Sequence, residues 1–280
     1  MWISNLMRST SSPRKSVMVI VWVALGCCIV TMAWCLTTDD WIAKAQSWVT
    51  AHAQGGFVLT SSIYREDGVL VGSGTTYFQG GTNGWSSRTD TTLHFDDTNT
   101  LTGVYTVIDT PQGEKAWFEG TCVYPPSSLL SSPYQSQSHS SLPQVIYSGD
   151  SSRTAAQALS DISTSASACV GSDNGNPVYE LDVTYNIAAA NARVNEPSYQ
   201  MSTNDQWTGS TLIDASTGEP IEYSNNHYIS EVGAWERSKL RFTSVDTGST
   251  IPSSTFDLGT DTPTNSLENA IIDFLEAHGY

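Results

Sequence analysis

Positively charged side chains are scarce in this 280-residue sequence, which has 12 Lys and Arg against 28 Asp and Glu and a formal net charge of −16. The imbalance is larger after residue 36, where all 28 acids but only nine basic residues lie, leaving a charge of −19. Such a surface repels phosphate groups, which excludes nucleic acid as a partner and charge-driven binding to an anionic membrane. The composition is typical of a soluble acidic domain.

Motifs for metals, phosphates and catalytic nucleophiles are also missing. The five His residues are scattered, and no G-x-G-x-x-G or Walker A run follows a predicted strand. Acids occur in pairs at Glu66 and Asp67 and at Asp214 and Glu219, but all four lie in predicted turns, where acidic residues are common. The sequence therefore predicts no enzyme, no cofactor and no metal site.

Cysteine is sparse outside an apolar N-terminal run. In the rest of the chain only Cys122 and Cys169 occur. In an oxidising compartment, two such cysteines suggest one disulfide, which would contribute about 3–4 kcal/mol to stability. Two separate buried thiols are the alternative.

Charge is absent from residues 17–36, VMVIVWVALGCCIVTMAWCL. As a helix, this run spans about 30 Å, enough to cross the core of a bilayer. Three basic residues and no acid precede it, which predicts that segment 1–16 is cytoplasmic and 37–280 extracytoplasmic. We therefore expect a single-pass signal-anchor in the cell membrane. A cleaved signal peptide and a lipoprotein signal lipidated at Cys27 are the alternatives.

Alternation of polar and apolar residues, the period of β-strands, dominates the rest of the chain. Five such runs joined by short turns occupy residues 57–124, the fifth at 115–124, and predict an antiparallel meander. About five further strands follow residue 178, the last a short extended segment at 253–258. They lie beyond a Ser-, Pro- and Gln-rich insert at 126–152 that is typical of a flexible loop. Helical periodicity predicts three helices, at 40–54, 153–163 and 266–278.

A single antiparallel sheet of this length must curl, and its concave side can be covered by helices. The predicted fold class is therefore α+β. We expect residues 37–280 to form one extracytoplasmic domain, an unclosed β-barrel covered by helices, preceded by one transmembrane helix or signal segment.

Two motifs in the second half resemble a known family. One is Y-x-L-x-V at 179–183, and the other is LIDASTGEPIEY, in which a strand ends at Asp214 and a turn contains Thr217, Gly218 and Pro220. The chain resembles the LolA/LolB-type lipoprotein carriers and is similar to LppX/LprG-type cell-envelope lipoproteins. This resemblance implies an unclosed barrel whose concave face holds acyl chains, and it implies no catalytic residue.

The first functional hypothesis is a membrane-tethered binding protein for a lipid or other apolar ligand in the bacterial cell envelope. Its predicted ligand contacts are the inward residues of the strands: Phe57, Leu59, Leu93, Phe95, Tyr105, Val107, Leu181, Val183, Leu240 and Phe242. The alternative is an envelope sensor or scaffold that binds a protein partner through the same half-barrel, using an exposed apolar patch or a sheet edge. A secreted hydrolase is the third and weakest candidate.

Overall fold

The computed structural model describes residues 36–52, 54–81, 84–96, 98, 100–130, 155–195, 197 and 200–280. The predicted membrane span lies outside this part of the chain except for Leu36, and so does most of the predicted insert. The boundaries and topology proposed for these segments stay predictions. Among the described residues, no helix is both long and apolar enough to cross a bilayer.

Eleven strands make up one sheet in the described residues. They are β1 (Phe57–Arg65), β2 (Leu70–Gly81), β3 (Gly84–His94), β4 (Thr102–Thr110), β5 (Gly113–Phe118), β6 (Thr121–Val123), β7 (Ser163–Asp173), β8 (Asn176–Tyr185), β9 (Gln206–Asp214), β10 (Pro220–Ile229) and β11 (Ala234–Asp246). Their spatial order is β6-β5-β4-β3-β2-β1-β11-β10-β9-β8-β7, and every strand pair is antiparallel. The sheet is curled and unclosed, as the alternation predicts.

Two meanders build this sheet, and they join through the first and last strands. β1–β6 follow one another from the seam outward to one edge, and β7–β11 follow one another from the other edge inward to the seam. The seam is the pairing of β1 with β11, in which Ile63 lies opposite Leu240. Both halves of the chain therefore contribute to the middle of the sheet.

Four α-helices accompany the sheet in the described part. They are α1 (Thr38–His52), α2 (Ala155–Ile162), α3 (Ile187–Ala192) and α4 (Leu267–Ala277). Thr37 and Asp40 close a capping box at the start of α1, since the Thr37 hydroxyl accepts from Asp40 N at 3.1 Å and Asp40 Oδ2 accepts from Thr37 N at 2.9 Å. Ser266 caps α4 by accepting from Asn269 N.

The apolar stripes of α1 and α4 pack on the same face of the sheet, which we call the inner face. The first half of α1, with Trp41 and Ile42, covers β8 and β9, and its second half, with Trp48 and Val49, covers Phe57 on β1. α4 covers β3–β6 through a separate cluster. The core is therefore divided into three clusters under two helices.

The sequence-based assignment was wrong at two local points. The run 115–124 is not one strand, because Glu119 and Gly120 have positive φ and turn the chain between β5 and β6. The segment 253–258, expected to be extended, contains a 3₁₀ helix at Ser253–Phe256. In addition, β7 was not predicted at all.

The suggested disulfide is also wrong, since neither Cys122 nor Cys169 is part of a disulfide in the described chain. Cys122 lies on β6 and Cys169 on β7, and these strands occupy opposite edges of the eleven-stranded sheet. Burial raises the pKa of the Cys122 thiol, which lowers its reactivity.

Candidate binding site on the inner face

Residue pairing across the sheet defines which side chains share the inner face. One row runs from Leu93 on β3 through Gly72, Ile63, Leu240 and Tyr223 to β9 and β8. Since neighbours along a strand alternate between faces, every second residue from each member of this row also points inward. The pairing thus assigns a face to each strand residue.

All ten residues predicted to contact a ligand lie on the inner side of the sheet. Seven are buried beneath the helices, four of them in the two clusters under α1: Phe57, Leu59, Leu181 and Val183. The cluster under α4 contains Leu93, Phe95, Tyr105 and the half-buried Val107. Phe242 packs against the Trp48 cluster, and Leu240 is half-buried on the seam. Most of these side chains contact the chain's own helices, and their role in ligand binding stays a prediction.

Small side chains occupy the inner face between the areas covered by α1 and α4. Ser61, Gly72 and Gly74 lie on β1 and β2, and Thr89 and Thr91 continue the strip on β3. A Cβ atom at Gly74 would meet nothing among the described residues closer than 3.4 Å, which is ordinary van der Waals contact. We call this region, together with the adjoining inward residues of β11 and β10, the central strip.

Three polar side chains in succession form the β10 part of the central strip. Tyr223, Asn225 and His227 are each at most 5% exposed. Asn225 accepts a hydrogen bond from the indole of Trp207, which stacks on Tyr185 with ring centroids 4.1 Å apart. Such buried polar groups normally find partners.

Both ring nitrogens of His227 lack a hydrogen bond from the described residues. The Tyr223 hydroxyl interacts with the hydroxyl of Tyr185, and burial raises the pKa of both phenols. An unsatisfied buried polar atom costs about 1–3 kcal/mol, so a bound polar group or water at this position would stabilise the fold.

His227 lies beside a buried carboxylate, that of Asp205. His227 Nε2 lies 3.5 Å from Asp205 Oδ2, while Asp205 Oδ1 accepts from the amide and hydroxyl of Ser230 at 2.8 and 2.6 Å. A nucleophile–base pair needs a hydroxyl or thiol in hydrogen-bond contact with the imidazole, and His227 has none among the described residues. In the same part of the chain, no three His, Cys, Asp or Glu side chains cluster as metal ligands would.

The turn between β9 and β10 has a structural role. Asp214 Oδ1 accepts hydrogen bonds from Ser216 N at 2.8 Å and from Thr217 N at 2.7 Å. The pKa of Asp214 is lowered, mainly by its hydrogen bond with the Ser216 hydroxyl. The Lys44 ammonium on α1 donates to the Ser216 carbonyl, and Gly218 approaches the backbone of the same helix. The turn thus fixes α1 to the sheet, as its predicted hairpin chemistry allows.

Several solved structures are similar to this chain. LprF from Mycobacterium bovis matches at 11% identity and a TM-score of 0.38, over 78% of this chain and 98% of LprF. Lipoprotein LppX from Mycobacterium tuberculosis matches at 9% and 0.39, over 77% of this chain and 100% of LppX. A LolA-superfamily protein from Nitrosomonas europaea matches at 10% and 0.25, over 79% of this chain and 97% of that protein.

The predicted LolA/LppX resemblance is thereby confirmed as a resemblance. No protein-family model matches the sequence, and no curated protein is similar to it. At these identities and TM-scores the function has to be argued from the chain's own residues.

Proposed function

We propose that this chain is a membrane-tethered, non-enzymatic binding protein of the bacterial cell envelope. Its ligand has an apolar body and a polar group, as a lipid does, and it binds on the inner face of the half-barrel. In this proposal the apolar run 17–36 anchors the chain, and residues 37–280 lie outside the membrane.

The observation that carries the proposal is the combination of unsatisfied polar atoms and apolar surface in the central strip. His227 supplies two ring nitrogens that lack hydrogen bonds from the described residues, and the buried Tyr223 hydroxyl has the Tyr185 hydroxyl as its neighbour. Tyr223 lies directly opposite Leu240, which in turn lies opposite Ile63. A ligand seated here would bury its apolar body against these side chains, with a gain of about 25 cal/mol per Å².

In this proposal, the small residues on β1 and β2 accommodate that apolar body. Ser61 and Gly74 face each other across the strand pair, where large side chains would fill the face. A ligand with a polar group fits this site better than a hydrocarbon, because a hydrocarbon would leave the ring nitrogens of His227 without a hydrogen bond.

Replacing Gly74 with Leu should expel the ligand. The new side chain would project into the central strip from an extended backbone position where a Cβ fits. The full chain is purified from its own membrane, and bound molecules are identified by native mass spectrometry. We expect a lipid-like ligand in the unaltered chain and a loss of about tenfold in occupancy in Gly74→Leu.

Ser73→Leu is the matched control, since Ser73 is the adjacent residue on β2 and points to the outer face. It should keep the ligand. Equal occupancy in both variants, no bound molecule in the unaltered chain, or a bound molecule without a polar group would contradict the proposal.

A further inference from the structure

The two edges of the sheet are protected very differently. β6 has only three residues, and the segment before α4 covers it: Val123 forms a parallel bridge with Asn265, and Tyr124 N donates to Asn265 O at 2.9 Å. β7, at the opposite edge, is an 11-residue strand that pairs with β8 on one side. In the described part of the chain, no strand lies on its other side.

The sequence of β7 lacks the features that keep edge strands from pairing. Residues 163–172, STSASACVGS, contain no charge and no proline, and the strand's one charged residue, Asp173 at its end, pairs with Arg241. The pairing with β8 is irregular only at its start, between Ser163 and Ser165. Edge strands in soluble proteins usually carry a Lys, a Pro or a central bulge that prevents another strand from adding. A long edge without them is suited to backbone pairing with a second segment.

A groove runs beside this edge, between α1 and the inner face of β7 and β8. It has a volume of about 520 Å³. Ala43 and Ser47 of α1 form one wall, and Val170 and Tyr179 form the floor. Val170 is 40% exposed although it is an apolar residue on the inner side of β7. The groove and the strand edge thus share Val170.

We propose that this groove binds an extended segment of a protein partner, which adds to β7 as a twelfth strand. Backbone N–H and C=O groups of β7 would supply the hydrogen bonds. Every second side chain of the added strand would point toward α1, since side chains alternate along a strand. An apolar side chain at such a position would pack on Val170 and Tyr179, next to the small Ala43 and Ser47.

Charge determines which occupant fits. Asp40 lies at the groove with an exposed carboxylate, and Asp39 precedes it on α1. Lys44 also lines the groove, but its ammonium donates to the Ser216 carbonyl of the β9–β10 turn. With a net charge of −16, two copies of this chain would repel each other at close range. The occupant is therefore a different protein, with an extended segment that has alternating apolar residues and a basic flank.

A short acetylated peptide of alternating Val and Thr with a Lys at each end tests this proposal on the full chain in lipid nanodiscs. Isothermal calorimetry gives its affinity, and amide hydrogen exchange locates its site. We expect binding that slows exchange along β7. The same peptide N-methylated at every second amide should lose binding by about tenfold or more, because it cannot complete the strand ladder.

The Val170→Glu substitution should weaken peptide binding by about tenfold, since it puts a charge on the apolar floor. Val104→Glu is the matched control, because Val104 is a valine with 44% exposure on β4 at the other side of the sheet. If Val170→Glu does not fold, the comparison of the plain and the N-methylated peptide on the unaltered chain still tests strand addition. Binding unaffected by N-methylation, no binding, or a dimer of the chain that Val170→Glu dissociates would overturn the proposal. Each of these results is independent of ligand retention in Gly74→Leu.

Discussion

At the scale of single residues, Gly218 connects the β9–β10 turn with α1. Its φ is +85°, and a Cβ atom there would lie 2.6 Å from the Lys44 carbonyl oxygen. Gly68 has nearly the same φ, +82°, but a Cβ atom at Gly68 would have no other described atom within 4 Å. The two glycines therefore separate the cost of backbone conformation from the cost of contact with the helix.

Substitution by Ala at both positions measures that difference. Gly68→Ala should lower the free energy of unfolding by about 1 kcal/mol, the usual cost of a left-handed conformation. Gly218→Ala should lower it by about 2–4 kcal/mol, because α1 or the turn must also shift. Urea denaturation gives both values. Equal losses would show that the turn does not hold α1 in place.

Inward residues were predictable where they are apolar, because alternation places all ten on one face. Tyr223 and His227 were not among them, since a polar side chain at an inward position gives no apolar signal. Counting in steps of two from Tyr223 along the predicted strand would have placed Asn225 and His227 on its side. That these three are buried depends on the packing of the whole inner face, which no local pattern contains.

At the scale of elements, an ionic network on the outer face connects the β7–β8 turn with β10 and β11. Arg241 contacts Asp173 at 2.5 Å and Glu222 at 2.8 Å, and Lys239 also contacts Glu222 at 2.8 Å. The side chain of Glu222 is 8% exposed, so removing one of these partners would leave a buried carboxylate with fewer hydrogen bonds. Hydrogen bonding to Arg241 is the main cause that lowers the pKa of Asp173.

Replacing Arg241 with Met should lower the free energy of unfolding by about 1–3 kcal/mol, because the buried Glu222 loses a donor. Thermal unfolding measures this loss, and carbon NMR of the Asp173 carboxyl should show its pKa moving upward. Arg237→Met is the control, since Arg237 pairs with the half-exposed Glu66 and should cost about 0–1 kcal/mol. A larger loss at Arg237 would contradict the assigned role of Arg241.

Strand β7 shows why an element can be missed. Its residues are mostly Ser, Ala, Thr and Gly, without the aromatic and branched side chains that mark strands. It forms because β8, a strongly alternating strand, is joined to it by a tight turn in which Asn174 and Gly175 both have positive φ. The three predicted helices, by contrast, are present as α1, α2 and α4, because helical periodicity marks them in the sequence.

At the scale of the whole molecule, the positions of Cys122 and Cys169 at opposite sheet edges predict insensitivity to reductant. The melting temperature should not change when dithiothreitol is added, and both thiols should be alkylated after unfolding without reductant. A drop of about 5–10 °C on reduction, the size expected for losing a disulfide, would contradict this prediction.

The seam between β1 and β11 sets the order in which the molecule can form. Val58 pairs with Asp246, so the seam joins the first strand of the sheet in the chain to the last one. Each meander consists of local hairpins that form quickly, whereas the seam requires contact between distant parts of the chain. Closure of the seam should therefore be the slow step of folding. Because the central strip lies across this seam, the ligand site proposed there would be complete only after the seam has closed.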